Sequence, residues 1–425
     1  MTIQDSLHRP EFLKSSGIPV WIVVTGNVRS GREFRGIFSK ILALRDSGLV
    51  DGIRFVTWHG ELESAPGLEQ TLVALGISIL TIQEPVAEPK VHPLFHGFVY
   101  HQRKALHFAL ESLPENSYVL KARTDFAEER FDSMVDALFR NPSLDLEIGI
   151  PNPILKTRLF SFDARPDYLF YWDDIVFSGL RDDLLRLNNF DLSSEFIYPG
   201  HVFPAECRLF APLFLDHYPV LRWFFENIDG REFSELLQLW ISNDQEITLP
   251  ALIRNVLASY LHILSRYVLL PSAESTSPLP IQLKNFFTES EKVGVKSFLH
   301  PWSSHKLYSQ ILLDRLLNGE LFEDKELGEV TTLMRQMDDD VASRGVMPIK
   351  MEESLLELVT FAGRFGLHLF TSQTRLIPSA ATLPLHSSSL LDLIELPEKR
   401  HLSWWKQKYT GLRRSAAKYL IRKLL

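Results

Sequence analysis

Tyr118-Val119-Leu120-Lys121-Ala122-Arg123-Thr124-Asp125 is the stretch whose reading decides the fold. Its first three residues suit a strand covered on both faces. Lys121, Arg123 and Asp125 stand two apart, so extended chain puts them on one face. The turn signal Pro114-Glu115-Asn116 comes just before. Upstream, helical spacing over residues 98–112 gathers Val99, Gln102, Leu106, Ala109 and Leu110 on one side, and Asp132 to Leu138 reads as the following helix. Such a helix–strand–helix passage places Asp125 at the carboxyl end of a central parallel strand, the edge where open α/β sheets hold ligands. Two cations beside a carboxylate are costly in a sheet centre. A phosphate-bearing ligand, with or without a metal on Asp125, accounts for them. For an isolated Lys-x-Arg-x-Asp the plainer reading is a solvated strand end with Arg123 paired to a nearby acid, so the rest of the chain decides.

Working outward toward the N-terminus, residues 18–25 form a continuous β-branched run, a first buried strand. Gly26-Asn27-Val28-Arg29-Ser30-Gly31-Arg32 follows it, and a helix (Glu33 to Arg45) follows that. A loop between first strand and first helix is a common phosphate cradle. It is neither a P-loop nor G-x-G-x-x-G, and an ordinary turn with surface arginines reads equally well. Ile53 to Trp58 is a second strand, Leu68 to Leu75 a helix and Ile77 to Ile82 a third strand. Residues 83–97 are a proline- and histidine-rich loop whose histidines show no metal-ligand spacing. Tyr100, Arg103 and His107 share a face of the helix over 98–112. The order β-α-β-α-β-α-β predicts a parallel, right-handed, Rossmann-like sheet.

Beyond the central strand, residues 139–165 read as irregular. Asp173-Asp174 then leads a short apolar strand ending at Gly179, and Arg181 to Leu187 is helical. One of the two aspartates can bind a sugar hydroxyl, or they can cap the element. Residues 198–207, aromatic and broken by proline, suit an acceptor pocket, with Glu206 the best acid there for proton transfer. Residues 208–249 read as helical, with helices expected over Leu213 to Asn227 and Glu232 to Ser242. Further helices are expected at 251–270, 307–318, 325–343 and 352–365, either as a second domain or as elaborations packed on the first. The expected divisions are 1–250 for the sheet domain, 251–395 for the helical region and 396–425 for a basic tail.

The 425 residues exceed one ordinary domain, and 45% hydrophobic with 23% charged residues is a soluble globular composition. The single cysteine, Cys207, excludes a disulfide framework and makes a cytosolic setting natural. Met1 to Gly17 lacks the apolar segment of a secretory signal. Ala251 to Leu270 carries Arg254, His262 and Arg266, so it reads as a packed helix and not a membrane span. The net charge of −8 is unevenly spread. Residues 399–425 hold nine Lys or Arg and no acid, which leaves 36 bases against 53 acids, or −17, for residues 1–398. An acidic body argues against a nucleic-acid protein. In 403–425, Trp405, Tyr409, Leu412, Ala416, Tyr419 and Leu420 fall on one helical arc with basic residues outside it. That pattern suits an anionic membrane surface; a terminal helix docked on the acidic body is the alternative.

Taken together, Arg29-Ser30-Gly31, Thr57-Trp58, Gln102, the 119–125 stretch and Asp173-Asp174-Ile175-Val176-Phe177-Ser178-Gly179, in this order, resemble the WavE lipopolysaccharide synthesis family over roughly residues 18–220. More broadly the order resembles a GT-A glycosyltransferase. The resemblance implies a bacterial enzyme of lipopolysaccharide or capsule assembly. It would move a sugar from a nucleotide-sugar donor to a glycolipid or polysaccharide acceptor at the inner face of the cytoplasmic membrane. Donor-binding roles then fall to Arg29, Arg32, Trp58, Gln102, Arg103, Lys121, Arg123 and Asp125, and the base role to Glu206 or Asp174. GT-A enzymes usually carry Asp-x-Asp for a divalent metal, Mg or Mn. Here Arg123 replaces the first Asp, so either Asp125 alone takes the metal or Arg123 and Lys121 neutralise the diphosphate directly. The alternatives are a sugar phosphotransferase of capsule assembly and a non-catalytic, membrane-tethered scaffold.

Overall fold

A computed structural model of the chain describes residues 7–28, 31–83, 96–125, 128–162, 164, 169–188, 205–228, 233, 235–237, 239, 240, 243, 247–270, 310–318, 325–339 and 351–367. Met1–Ile377 forms one compact unit; residues 378–425, with the expected basic tail helix, lie outside the described residues.

Seven strands form one sheet in the order β3-β2-β1-β4-β6-β5-β7. β1 (Val20–Thr25), β2 (Gly52–Trp58), β3 (Ser78–Ile82) and β4 (Tyr118–Arg123) are mutually parallel. The protein is therefore α/β with a mostly parallel central sheet. Three crossover helices connect these strands: α2 (Gly31–Asp46), α3 (Leu68–Ala74) and α4 (His96–Glu111). A short α1 (Glu11–Ser15) precedes β1, and α5 (Glu128–Phe139) follows β4. Strand alternation sorts the core into two faces. Ile22, Val24, Tyr118, Leu120 and Ala122 pack toward α2 and α5, whereas Val23, Val56 and Val119 pack toward α4. The chain winds from β1 outward to β3 and returns to β4 on the other side of β1. The direction reverses between β1 and β4, and ligand crevices open at such points.

The far half of the sheet differs from the expectation. β6 (Phe177–Leu180) runs antiparallel to β4, with Lys121 opposite Phe177 and Tyr118 opposite Leu180. The region expected to be irregular contains β5 (Leu159–Ser161), which pairs antiparallel with β6 and parallel with β7 (Val268–Leu269). Asp173 to Val176 are a turn ahead of β6 rather than part of the strand. α6 (Arg181–Leu187) lies where it is expected. The single helix expected over 213–227 is two, α7 (Ala205–Leu215) and α8 (Pro219–Asn227), because Pro219 has no N–H to continue a helix and starts a new one at its first turn.

α9 (Ala251–Tyr267) runs directly into β7, so this part of the helical region belongs to the sheet's own core. α10 (Gln310–Asn318), α11 (Lys325–Asp339) and α12 (Met351–Gly363) bury Leu313, Val330, Met334 and Phe361 in the same cluster. Between α9 and α11 runs a polar chain. Tyr218 Oη lies 2.8 Å from His262 Nδ1, and His262 Nε2 lies 2.8 Å from Asp338 Oδ1, which also accepts from Arg266 Nε at 2.8 Å. His262 and Tyr218 are fully buried, so this chain gives polar groups partners that water cannot supply. Among the described residues, no helix is long and apolar enough to cross a membrane.

Candidate active site

The antiparallel direction of β6 builds the site. The residues just before an antiparallel strand lie beside the end of its partner, so the Asp173–Val176 turn meets the carboxyl end of β4. Sequence spacing alone leaves these two charged motifs about fifty residues apart. Lys121 joins them. It is 1% exposed, and its Nζ donates to the carbonyl oxygens of Asp174 and, at 3.1 Å, Ile175. The ammonium also lies 5.1 Å from the centroid of the Phe177 ring.

Arg123 turns its guanidinium onto Asp125, with Nε donating to Oδ1 at 2.9 Å and Nη2 to Oδ2 at 3.0 Å. Asp125 is buried and Arg123 half-buried. This forked pair is the strong geometry for guanidinium and carboxylate. It engages both oxygens expected to hold a metal, and among the described residues no three metal-ligating side chains converge. The donor set around Asp125 thus does not fit a resident divalent ion. Next to the pair, Thr124 Oγ1 donates to the Asn27 carbonyl at 2.6 Å, and the Val28 N–H donates to Glu61 Oε1 at 2.7 Å. The loop after β1 is tied down there, at the point where the sheet reverses. Gly26 makes this approach feasible: its φ is +124°, and a Cβ would stand 2.8 Å from Thr124 Oγ1.

The two aspartates of the turn part company. Asp173 is buried, accepts from Arg130 Nη1 and from the Ile175 N–H, each at 2.8 Å, and donates its own N–H to Ser161 Oγ at 3.2 Å. Burial pushes its carboxyl above the usual range, against the pull of Arg130, and its Oδ2 accepts nothing among the described residues. Asp174 is half-buried and lines a pocket. Gln102, Arg103 and Leu106 of α4, Lys121 of β4, Phe177 of β6 and Leu209 of α7 form the other walls. The space between these walls is small, about 10 Å³, or room for roughly one water, and it opens to solvent. Trp172, just ahead of the aspartates, is held by its Nε1 donating to Tyr260 Oη of α9 at 3.0 Å.

The structure therefore brings Gln102, Arg103, Lys121 and Asp174 into one pocket and sets Arg123 and Asp125 beside it as a closed pair. Trp58 is buried, with its ring 5.4 Å from that of His101. Arg32 is exposed on the first turn of α2. Arg29 and the Glu206 side chain lie outside the described residues. Sequence reasoning missed Arg130, Ser161 and Tyr260, which position the acidic turn. Arg130 alone carried a signal, a cation in the first turn of the helix that follows the charged strand. Compared with known families and with curated proteins, the chain matches no family model and no curated protein.

Burial lowers the Lys121 ammonium to about 8; Asp174 opposes that shift and Arg123 adds to it. Below that pH the lysine is charged in both folded and unfolded chains. Between about 8 and the ordinary lysine value of about 10.4, the unfolded chain keeps a proton that the folded one has lost, so stability rises with pH. The free energy of unfolding is expected to climb across this window by at most about 1.4 kcal/mol per pH unit. Urea titrations from pH 7 to 10 of wild type and Lys121→Met measure it. An equal slope in both proteins contradicts the assignment. The Tyr118 phenol, raised by burial, opposes the trend only above about pH 10.

Proposed function

We propose that the protein is a glycosyltransferase that takes a nucleotide-activated sugar at the carboxyl edge of β4 and passes the sugar to a glycolipid or polysaccharide acceptor in bacterial surface-polysaccharide synthesis. One observation carries this reading: the pocket that joins β4, the acidic turn and α4 is walled by two buried cations, Arg103 and Lys121, with a single carboxylate, Asp174. Departure of a nucleoside phosphate loads negative charge onto its oxygens. Fixed cations in a site shielded from water stabilise that charge more than mobile ones in solvent. Asp174 is the pocket's acid. It is positioned to accept a hydrogen bond from a sugar hydroxyl or to take the proton of the acceptor hydroxyl. The GT-A relation and the tail's contact with anionic lipid are parts of the same proposal. The pairing of Arg123 with Asp125 favours the rival scaffold reading, since both groups are satisfied without ligand.

The test is a panel of nucleotide sugars, with and without Mg or Mn, followed by thermal shift and then by product analysis with lipid-linked acceptors. A true donor at 100 times its dissociation constant adds about 2.7 kcal/mol of stability. Release of nucleoside phosphate with glycosyl extension supports the proposal, whereas a phosphodiester product indicates a sugar phosphotransferase. No binding across the panel leaves the scaffold. For the tail, deletion of residues 399–425 is expected to move the protein out of the membrane fraction, and unchanged fractionation removes that part of the proposal.

A further inference from the structure

β3 closes one side of the sheet, and among the described residues no strand pairs with its outer edge. Natural edge strands are commonly blunted by charge, proline or a bulge, because unpaired N–H and C=O groups recruit other strands. Ser78-Ile79-Leu80-Thr81-Ile82 has no charge and no proline, and it pairs with β2 in unbroken register. One hydrogen bond fixes the direction of its backbone groups. The His59 N–H donates to the Ile82 carbonyl at 3.0 Å, so Ile82 and, by alternation, Leu80 and Ser78 turn their backbone toward β2. Ile79 and Thr81 therefore turn their N–H and C=O outward. The side chains of this edge are apolar on both faces: Ile79 is half-buried on the α3 face and Leu80 half-buried on the α4 face. Of the large apolar side chains exposed among the described residues, Val73, Leu75 and Phe108 flank it. Val73 and Leu75 lie at the end of α3, which leads straight into β3. Phe108 is seven residues on from His101, and so on the same side of α4 as the contact with Trp58 of β2.

We propose that β3 pairs with the β3 of a second copy of this chain, antiparallel and about a two-fold axis at Leu80, so that the two sheets become one. The register argues for a copy rather than a foreign strand. An axis at Leu80 sets each Ile79 opposite Thr81 of the other copy, and these are the residues whose backbone groups point outward. Each such pair exchanges both of its hydrogen bonds, and Leu80 meets Leu80 in the closer, non-hydrogen-bonded position. No like charges oppose one another, since the strand has none. A foreign peptide finds no charged side chain here to set its register. A strand of 5 residues is less than the roughly 20–30 residues a side that a stable contact uses, so the flanking helices must add to it. The two-fold keeps each face of one sheet with the same face of the other. It therefore brings α3 beside α3, with Val73 and Leu75 between them, and adds Phe108 on the opposite face. β2 and β1 separate β3 from β4, so the contact leaves the pocket open and holds whether or not that pocket takes a nucleotide sugar.

The experiment follows the mass of the full-length chain by sedimentation from low to high micromolar concentration, and adds two single cysteines on one face of β3. The expected mass is twice that of the 48.9 kDa chain at the high end, falling on dilution. Leu80→Cys stands on the axis, where facing Cα atoms are about 4.5 Å apart and within reach of a disulfide. Oxidation by diamide should convert most of that variant to a covalent dimer. Ser78→Cys, two residues off the axis, faces Ile82 of the other copy and should not link. The native Cys207 is buried, so the wild type should not link either. A chain that stays monomeric throughout overturns the proposal; slow exchange of the Ile79 and Thr81 amides in that monomer means that another segment of the same chain covers the edge. A dimer in which neither cysteine links, or both do, overturns it as well, because its contact then lies elsewhere. Should the variants fold poorly, hydrogen exchange of the wild type decides. Protection of the Ile79 and Thr81 amides that is lost on dilution supports the contact, and exchange there that dilution leaves unchanged contradicts it.

Discussion

Asp183→Ala is expected to destabilise the protein by about 2–4 kcal/mol, since removing a fully buried acceptor leaves the buried Thr157 N–H unpaired, at about 1–3 kcal/mol, and the partly buried Lys156 N–H at less. Asp183 lies in the first turn of α6, where a carboxylate already suits the helix dipole. It also reaches across to residues 156 and 157. The Lys156 N–H donates to both of its oxygens at 3.0 Å, and the Thr157 N–H donates to Oδ2 at 3.0 Å. The link fixes the segment leading into β5 against the helix that follows β6. Burial raises the Asp183 carboxyl and those N–H groups pull it down, so the ionised form depends on them. Asp183→Asn retains one acceptor oxygen and is expected to lose about half as much. Urea unfolding of the three proteins checks both figures, and a loss below about 1 kcal/mol for Asp183→Ala would show that water replaces the carboxylate.

Arg130→Met should cost about as much by a different route. The Asp173 side chain is 1% exposed and Arg130 is its ion-pair partner. Removing one partner of a buried pair strands a charge, at about 3–5 kcal/mol. Protonation relieves a stranded carboxylate, and burial has already raised this one. The deficit of the variant is therefore expected to shrink as pH falls from 7 to 5. Adding Asp173→Asn to Arg130→Met should recover part of the loss, because the charge then disappears with its partner. Guanidinium titrations at two pH values measure this. A deficit that is independent of pH, with no recovery in the double variant, means that Arg130 acts through packing on Phe162, whose ring centroid lies 5.7 Å away. The same variant loosens the turn that carries Asp174, so donor affinity should fall with it.

The parallel half of the sheet was readable in the sequence because β1, β2 and β4 are runs of almost wholly buried residues bounded by turn signals, with the half-buried β3 at their edge. Val20 to Val24 and Tyr118 to Leu120 are apolar on both faces, and nothing short of a doubly covered strand suits them. The other half was not readable. β5, β6 and β7 have three, four and two residues, too few for any period to register. The direction of β6 depends on a pairing with β4 across more than fifty positions. The charged motif was visible, but the fate of its members was not. Whether Arg123 meets a ligand or folds back on Asp125 depends on a side-chain rotation, and Lys121 finds its acceptors in backbone carbonyls that no residue type advertises. Nothing in the local sequence singles out Asp183, because its partner Thr157 lies 26 residues away. The break at Pro219 was available to sequence reasoning, since proline at a first turn is a start signal.

The central claim is that a nucleotide sugar occupies the pocket beside the end of β4. The most direct measurement is backbone hydrogen exchange of the full-length chain with and without the best-binding nucleotide sugar. The account predicts slower exchange at residues 172–178 and at the α4 segment carrying Gln102 and Arg103, with the α9–α11 contact around His262 unchanged. Protection confined to other regions, or no change at any concentration that saturates binding, would contradict it.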